Sequence, residues 1–542
     1  MPSTLGTFTF VSGYTSRTAG NDGTGSALAS LLLGLPQIAN RSVGPNTMNG
    51  RQPAFSVYAQ DDWRVGQRLT LNLGVRYELS PPMYDANQMM SNIDYSSVPT
   101  PQQIFAEGRL AYYTPTVYVC GQNGTPKGCA YTDRNNVAPR AGFSWVADDK
   151  TVVRGGAGIY YAPQDANPLF RLAAGLPGNI AQALTFNAFV PANAPGFDVF
   201  GPAVLGPVQI QQASIDMHQQ TSQSAQFTLS VQRELARDWV VEASYIRTRA
   251  KYLEQNVQPN NAQPGSGAVD PRRPYAALLF APNTTFPDYV VVQGNRVPVG
   301  QINYFPHSAR SEYDALQLRL ERRFAGGFSL LSAYTLSKAR SNAPQYRNAG
   351  GAGGAENSPP QNSYDLDSEW GPAYYNATHR WVTTVTRALP FGFQASGIWT
   401  MQSGFPFTVN IQGDTAGIGG GTGGILIRPN AVAGVDPYLP KSEWKNGRYL
   451  NPAAFVAPPA GAFGTLGRNS LVGPGYVNLD VVLAKGFTFG GQRRLELRAE
   501  IFNALNRRNY TLVNRLLNTP DFGAITSQAD PRQMQFGVRL TF

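Results

Sequence analysis

The chain is built from short runs in which apolar and polar residues alternate strictly, and this period of two limits its fold more than any other feature. The plainest case is the last nine residues, Met534 to Phe542. Met534, Phe536, Val538, Leu540 and Phe542 share one face, while Gln535, Gly537, Arg539 and Thr541 share the other. Successive side chains on a strand point to opposite sides, so this run reads as a strand with one apolar and one polar face. It ends on an aromatic carboxy-terminal residue. Taken alone, it suits a soluble sandwich as well as a membrane strand, and the rest of the chain decides between them.

A second clean run lies near the amino end. Leu69, Leu71, Leu73, Val75, Tyr77 and Leu79 alternate with Thr70, Asn72, Gly74, Arg76 and Glu78. It follows the strand-like Phe55–Trp63 closely enough to form a hairpin. The same unit returns at 139–146 with 151–161, 225–231 with 239–245, 316–324 with 328–337, 379–388 with 393–402, and 477–485 with 495–501. With a weaker first strand at Gly6–Tyr14 and the last strand, this predicts about fourteen strands of about ten residues, the length a tilted strand needs to cross a bilayer. The turns within hairpins are short. The connections between them run for tens of residues, as at Ser80–Val137, Ala162–Ser222, Ala250–Glu312 and Ser403–Gly475.

A compact soluble domain rarely holds so many long loops. A transmembrane barrel expects them outside, with short turns on the periplasmic side. The expected fold class is therefore an all-β transmembrane antiparallel barrel. Bilayer hydrocarbon covers its apolar face, and closure of the sheet satisfies the backbone. On this reading Arg76, Glu78, Arg319, Glu321, Arg498 and Glu500 face the lumen, and Phe542 lies at the periplasmic rim.

Composition agrees. Charged residues make up 14% of the chain, against about 25% in ordinary globular domains. The 56 Gly and 41 Pro suit many strands joined by loops. Mean hydropathy is −0.26, and the longest apolar run, Ala27–Leu35, is broken by Ser30 and Gly34. It suits a short helix and falls far below the roughly 20 residues of a spanning helix. The net charge of +10 is scattered rather than gathered into a stripe, which argues against nucleic acid as a partner. The first residues have neither the basic nor the apolar segment of a signal peptide, so an exported chain of this kind is expected to lack its own start. Cys120 and Cys129, the only two cysteines, flank a Gly- and Pro-containing loop. An oxidising compartment favours a disulfide between them, and two free thiols are the alternative.

No catalytic constellation is found, and no cofactor or metal site. His218, His307 and His379 lie far apart in sequence. Gly419, Gly421 and Gly424 match Gly-x-Gly-x-x-Gly, but within a glycine tract, Gly417–Gly424, that no helical pattern follows; Pro429 interrupts. Asp61-Asp62 and Asp148-Asp149 fall at strand ends or turns, where turn chemistry explains them. Trp63, Tyr160, Tyr161, Trp239, Tyr334, Trp381, Trp399 and Phe542 mark strand ends and suit interfacial girdles, with ordinary core packing as the alternative.

Phe55-Ser-Val-Tyr-Ala-Gln-Asp-Asp-Trp63, followed by Leu69 to Glu78, resembles the barrel of TonB-dependent outer-membrane receptors, and more narrowly the Oar-like group. Asn136 to Phe143, Leu320 to Phe324, Gln402 to Thr408, Gly467 to Ser470 and Glu500 to Asn506 fit the same pattern in the same order, as does the Phe542 end. The resemblance spans nearly the whole chain. It implies a 22-stranded parent barrel filled by an amino-terminal plug with a TonB box before it. Neither plug, TonB box nor the carboxypeptidase-regulatory-like domain often found at the amino end of the Oar-like group is seen here, so residues 1–542 are expected to be a barrel domain incomplete at its amino end, although a smaller closed barrel also fits an even strand number.

The resemblance further implies a place in the outer membrane of a Gram-negative-type bacterium, with membrane lipid as partner. It implies a carboxy-terminal signal, Phe536, Val538, Leu540 and Phe542, read by the barrel-assembly machinery, and contact with TonB only through the absent plug. The function it implies is capture of a substrate by the long outer loops for energy-coupled uptake. A structural or adhesive barrel without transport, or a non-functional fragment, is the alternative. A secreted soluble enzyme would need a catalytic set that the sequence does not show.

Overall fold

The computed structural model describes residues 6–17, 24–43, 47–173, 175, 180–185, 204–205, 210–282, 291–292, 296–343, 359–411, 413–419, 427–490 and 493–542. Its main element is one antiparallel sheet of fourteen strands. Thirteen follow the chain in order: β1 Phe55–Arg64, β2 Leu69–Leu79, β3 Val137–Asp148, β4 Thr151–Ala162, β5 Ser222–Ala236, β6 Trp239–Leu253, β7 Ala309–Ala325, β8 Phe328–Ser341, β9 His379–Ala388, β10 Phe393–Gln402, β11 Tyr476–Phe489, β12 Arg493–Phe502 and β13 Gln533–Thr541. The fourteenth, Gly371–Pro372, pairs with the end of β8. Each strand hydrogen-bonds its sequence neighbours, so the six hairpin turns all lie at one end and the long connections at the other. No helix of the described residues is long and apolar enough to cross a membrane.

The register carries one apolar face across the whole sheet. Leu73 lies beside Ala141, Ala141 beside Ala157 and Ala157 beside Phe227. Further on, Leu318 lies beside Tyr334 and Tyr334 beside Trp381. Val481, Ile501 and Met534 complete the run to β13. This face is exposed: Leu73, Phe227, Leu229, Leu316, Leu318 and Leu497 all present their side chains outward. On the opposite, polar face, Ala138, Ala315, Ser337, Ala339 and Ser341 are buried at the loop end. The loops therefore dock on the polar face and leave the apolar face bare. A soluble sandwich would bury the apolar face, so this arrangement fits a bilayer outside and a lumen inside.

Two local features keep the sheet regular. Phe143 crosses over Gly155, its register partner, and a Cβ on Gly155 would collide with that ring. Pro139 lacks an N–H to donate. It sits just beyond Arg140, where the pairing of β3 to β4 ends, so no ladder bond is lost there.

Two expectations are corrected. The strand expected at Gly6–Tyr14 does not join the barrel. Only Thr7–Thr9 is extended, pairing with Ile38–Val43, and Ser12–Thr15 forms a 3-10 turn. A three-residue strand is too short to cross. Ala27–Leu32 is the short helix expected there. The long connections are also not bare loops. Ser91–Asp94, Thr116–Val119, Ala277–Phe280, Arg296–Phe305 and Ile210–Ile215 form a second, five-stranded sheet. Two of its pairings are parallel and join segments far apart in sequence, which local periodicity cannot reveal.

The outward face predicts a sharp asymmetry between neighbours. Leu318→Arg, at mid-height facing out, should cost about 2–4 kcal/mol in a bilayer unfolding titration. Gln317→Arg, one residue away and facing in, should cost little. Equal costs would mean that the apolar face does not meet lipid.

Candidate functional site

The inner wall carries charge in pairs. Arg76 Nε lies 2.7 Å from Glu78, Arg319 Nη2 2.6 Å from Glu321, and Arg498 Nη2 2.6 Å from Glu500. Each pair is two residues apart on one strand, so both members share a face. Glu242 approaches Arg319 from β6 at 3.8 Å. These side chains are partly exposed, so each pair contributes at most about 1 kcal/mol. Their main effect is to keep the lumen surface close to neutral.

Between β1 and β5 the inner wall is hollowed. A cavity of about 530 Å³ is floored by Gly74, Gly142, Gly156 and Gly158, with Arg76, Arg140 and Tyr160 around it. Arg140 crosses the register between Gly74 and Gly158, and its guanidinium stacks 4.5 Å from the centre of the Tyr160 ring. A Cβ on Gly158 would press on Arg140 and Tyr160 at 3.1–3.3 Å, so glycine there lets the two side chains fold across the wall. Cation, phenol and bare backbone together suit an anionic or hydrogen-bonding solute better than an apolar one.

Above the hollow, the connections form a packed cap. One core joins Ile93, Ile104 and Val117 to Tyr275, Leu278 and Val299. A second gathers Met90, Tyr118, Leu169, Leu172, Ile215 and Phe305 around Cys120 and Cys129. The two cysteines are joined by a disulfide, with their Cα atoms 5.0 Å apart. Asn92 stitches this core together, donating to the carbonyls of Cys129 and Ile215 and accepting from the Ile215 N–H. A third core, around Val409, Tyr449 and Phe455, also draws in Val513 and Phe522 from the last connection. Burial raises the pKa values of Tyr118, Tyr275, Tyr304 and Tyr449 well above the ordinary phenol range, so all four stay protonated.

The recognised motifs act as joints where strands leave the wall. Thr408 donates to Asn469, and Pro406 and Phe407 pair with Val472 and Leu471, so two of the motifs meet in space. Arg468 donates to the carbonyls of Ser341 and Glu369 and ties that joint to β8. Beside it the buried Arg428 Nη1 lies 2.8 Å from both oxygens of Glu369. Asn503 accepts from Arg507 and donates to the Asp530 carbonyl, holding the exit of β12. Asn136 caps the entry to β3 through Thr221. These residues build the scaffold rather than offering side chains to a ligand.

Other expected sites fall as follows. Phe536, Val538, Leu540 and Phe542 project outward from β13 at the edge of the sheet, 52–91% exposed. Trp63 and Trp239 face outward at the hairpin-turn end. Arg322 stacks on Trp239 and Phe328 there, and Lys485 on Phe393 and Phe487, which gives an aromatic and basic belt at one membrane boundary. Tyr161, Tyr334, Trp381 and Trp399 also face outward. Tyr160 does not belong to a girdle, because its parity turns it into the lumen against Arg140. Gly421 and Gly424 lie outside the described residues. Asp414 accepts from the N–H groups of Ile418 and Gly419, so an anion from the chain itself already holds the donors a phosphate would need. Asp148 accepts from Lys150 and Thr151 in its turn, and Asp62 from Asn72. His218 stacks on Tyr131 and His379 bonds Tyr334; among the described residues no three metal-ligating side chains converge.

The fold and its two faces define a transmembrane β-barrel wall with a structured outer cap. The model of the family described as outer membrane beta barrel domain matches residues 2–535, and the chain belongs to that family. It is a protein of the Gram-negative outer membrane. No curated protein matches it. Among solved structures it is similar to the outer membrane transporter YddB from Escherichia coli, at 11% identity and a TM-score of 0.44, covering 92% of this chain and 54% of that one. It is similar to the pyoverdine receptor FpvA of Pseudomonas aeruginosa PAO1, at 10% identity and a TM-score of 0.42, covering 94% and 44%. For the ferric citrate transporter FecA the values are 9% and 0.38, covering 96% and 47%. The chain thus spans about half of each of these structures.

The cap contains a buried imidazole. His307 Nδ1 lies 2.6 Å from the Gln220 carbonyl, and its buried Nε2 is 3.9 Å from the Glu254 carboxylate. Burial lowers the imidazole pKa despite the Gln220 contact, so the closed cap favours neutral histidine. As pH falls below about 6.5, the opened loop takes up a proton that the closed cap resists, and the cap loses stability. Amide exchange around residues 300–308, corrected for its intrinsic rate, should therefore speed up between pH 7.5 and 5.5. His307→Gln should remove that pH dependence.

Proposed function

We propose that the chain is the main wall of a gated outer-membrane receptor, which binds a substrate through its outer cap and passes it along the lumen for energy-coupled uptake. The observation that carries this reading is the glycine-floored hollow on the inner wall, bordered by Arg76, Arg140 and Tyr160 and lying beneath a cap with cores of its own. A purely structural barrel has no need for a hollow wall. The ordered motif resemblance to TonB-dependent, Oar-like receptors points the same way and assigns no enzymatic step.

The sheet edges support a larger parent barrel. β1 and β13 are exposed along their whole length and are not paired with each other. An open edge cannot face hydrocarbon, so in the membrane both need partners. We read residues 1–542 as one barrel domain that further strands complete and a plug fills, with TonB acting only through that plug. The face of β13 bearing Phe536, Val538, Leu540 and Phe542 is the part read by the barrel-assembly machinery. The cap disulfide Cys120–Cys129 holds the loop layer in shape.

The test is solute depletion from a defined medium by the bacterium with and without the gene, each with and without a protonophore. Uptake of at least one solute should depend on both the gene and the proton gradient. Unchanged uptake together with weakened envelope integrity or adhesion would favour the structural reading. Separately, Cys120→Ser with Cys129→Ser should release about 2–3 kcal/mol of loop constraint. Surface proteolysis of the cap should then rise while the heat-modifiable mobility of the barrel stays unchanged.

A further inference from the structure

The outward face is not apolar along its whole height. On β6 the residues that follow Trp239, Val241, Ala243 and Tyr245 on that face are Arg247, Arg249 and Lys251. On β7 the same face runs up through Leu318 and Leu316 to Asp314 and Glu312, and on β8 through Leu336 to Lys338 and Arg340. The three strands have 15, 17 and 14 residues, whereas crossing takes about 9–11. Their outer ends therefore stand above the hydrocarbon. From Arg322, in the belt at the turn end, to Asp314 is eight residues along β7, or about 20 Å of height at a tilt near 40°. The charged crown thus falls where the outer-leaflet headgroups lie.

The crown is unbalanced. It holds five cations and two carboxylates. Arg249 meets Asp314 at 2.9 Å and Glu312 at 3.7 Å, and Arg247 is 3.9 Å from Asp314. Both acids are thereby engaged. Lys251, Lys338 and Arg340 form no ion pair among the described residues; Arg340 lies over the Trp370 ring at 5.2 Å.

Beside these cations the wall is notched. Pairing of β8 to β9 ends at Leu336 and His379. Above that point the chain before β9 bulges out and rejoins β8 only at Gly371–Pro372, beside Arg340 and Ser341, and within the bulge the Ala339 N–H donates to the Asn376 side chain instead of to a ladder carbonyl. The result is a cavity of about 710 Å³ with Leu316 and Leu336 at its lower end and Lys338 and Arg340 at its upper end; Asp314 also lines it, with its carboxylate taken up by Arg249 and the Tyr245 hydroxyl. Apolar side chains below and cations above match a molecule that is itself acyl below and anionic above.

We propose that this notch is a binding site for a phosphorylated, multiply acylated glycolipid of the outer leaflet, with acyl chains along Leu316 and Leu336, phosphates held by Lys338 and Arg340, which line it, and Lys251 on the neighbouring β6 adding to the positive field. Arginine and lysine form strong charge-assisted hydrogen bonds to phosphate, and basic pockets at a membrane surface collect anionic headgroups. Charge complementarity selects the anionic lipid, and the height of the site selects the outer leaflet.

The test uses the protein extracted from its own outer membrane in mild detergent, with bis-phosphorylated lipid A as the probe. Native mass spectrometry should show one retained lipid A, and titration should give saturable binding. Lys251→Gln with Lys338→Gln and Arg340→Gln should weaken it about a hundredfold, at about tenfold or less per charge. Heat-modifiable mobility checks that the variant is folded. A folded variant that binds as well as the parent overturns the proposal. If the triple variant is misfolded, Lys338→Gln alone is used, with about a tenfold or smaller loss expected. Equal retention of dephosphorylated lipid A, displacement by millimolar inorganic phosphate, or equal retention of phosphatidylglycerol would each overturn it too. They would indicate, respectively, an apolar groove, a free-anion site and an unselective acidic-lipid surface.

Discussion

Everything in this molecule depends on pairing backbone N–H and C=O groups where no water is available to do it. In hydrocarbon each unpaired group costs several kcal/mol, so a spanning strand is stable only between two neighbours. The eleven strands from β2 to β12 each lie between two neighbours in sequence order and meet that demand. The side chains then fall into two classes by parity alone, one toward lipid and one toward the lumen. Details that look incidental follow from the same demand. Pro139 occurs where a ladder bond has already ended, and Phe143 covers the surface that Gly155 leaves bare.

The sequence showed the wall and hid the cap, for a physical reason. Wall strands pair with their nearest neighbours in the chain, so period-two runs such as Leu69–Leu79, together with short turns, suffice to find them. The lumen-facing side of Arg76, Glu78, Arg319, Glu321, Arg498 and Glu500 was legible because parity fixes it. Cap strands pair across great sequence separation: Leu279 lies beside Thr116, and Ile210 beside Val299. The segments involved are short, and nothing within Thr116–Val119 announces its partner. The hollow was also invisible, because glycines on three different strands must be brought into register before they make a floor. The residues that carried the family resemblance, such as Asn469 and Asn503, proved to be joints. Both have left-handed backbone, with φ near 50°, which asparagine tolerates better than most residues. A motif can thus identify a fold reliably and still say little about what the fold binds.

The distribution of charge divides the labour between the two faces. Inside, opposite charges are neighbours on the same strand, and the lumen stays nearly neutral along much of its wall. Outside, the cations gather at two levels: stacked on aromatic rings at the turn end, and in surplus at the loop end. Between these levels the wall is apolar except for Asp61 beside Leu73 on the edge strand β1, and the two charged boundaries fix its height in the membrane more firmly than hydrophobic thickness alone.

The way the cap is sewn together has a consequence in time. Its central sheet takes strands from the connections after β2, β4 and β6, and its disulfide-bearing core uses the same three. None of those cores can close until the hairpins between them have crossed the membrane and delivered their connections to the same side. The cap is therefore the last part of this region to form, and its closure marks the completion of the wall beneath it. A surface protease applied during biogenesis would read the cap as a clock, cutting it freely while strands are still arriving and sparing it once the sheet is in place.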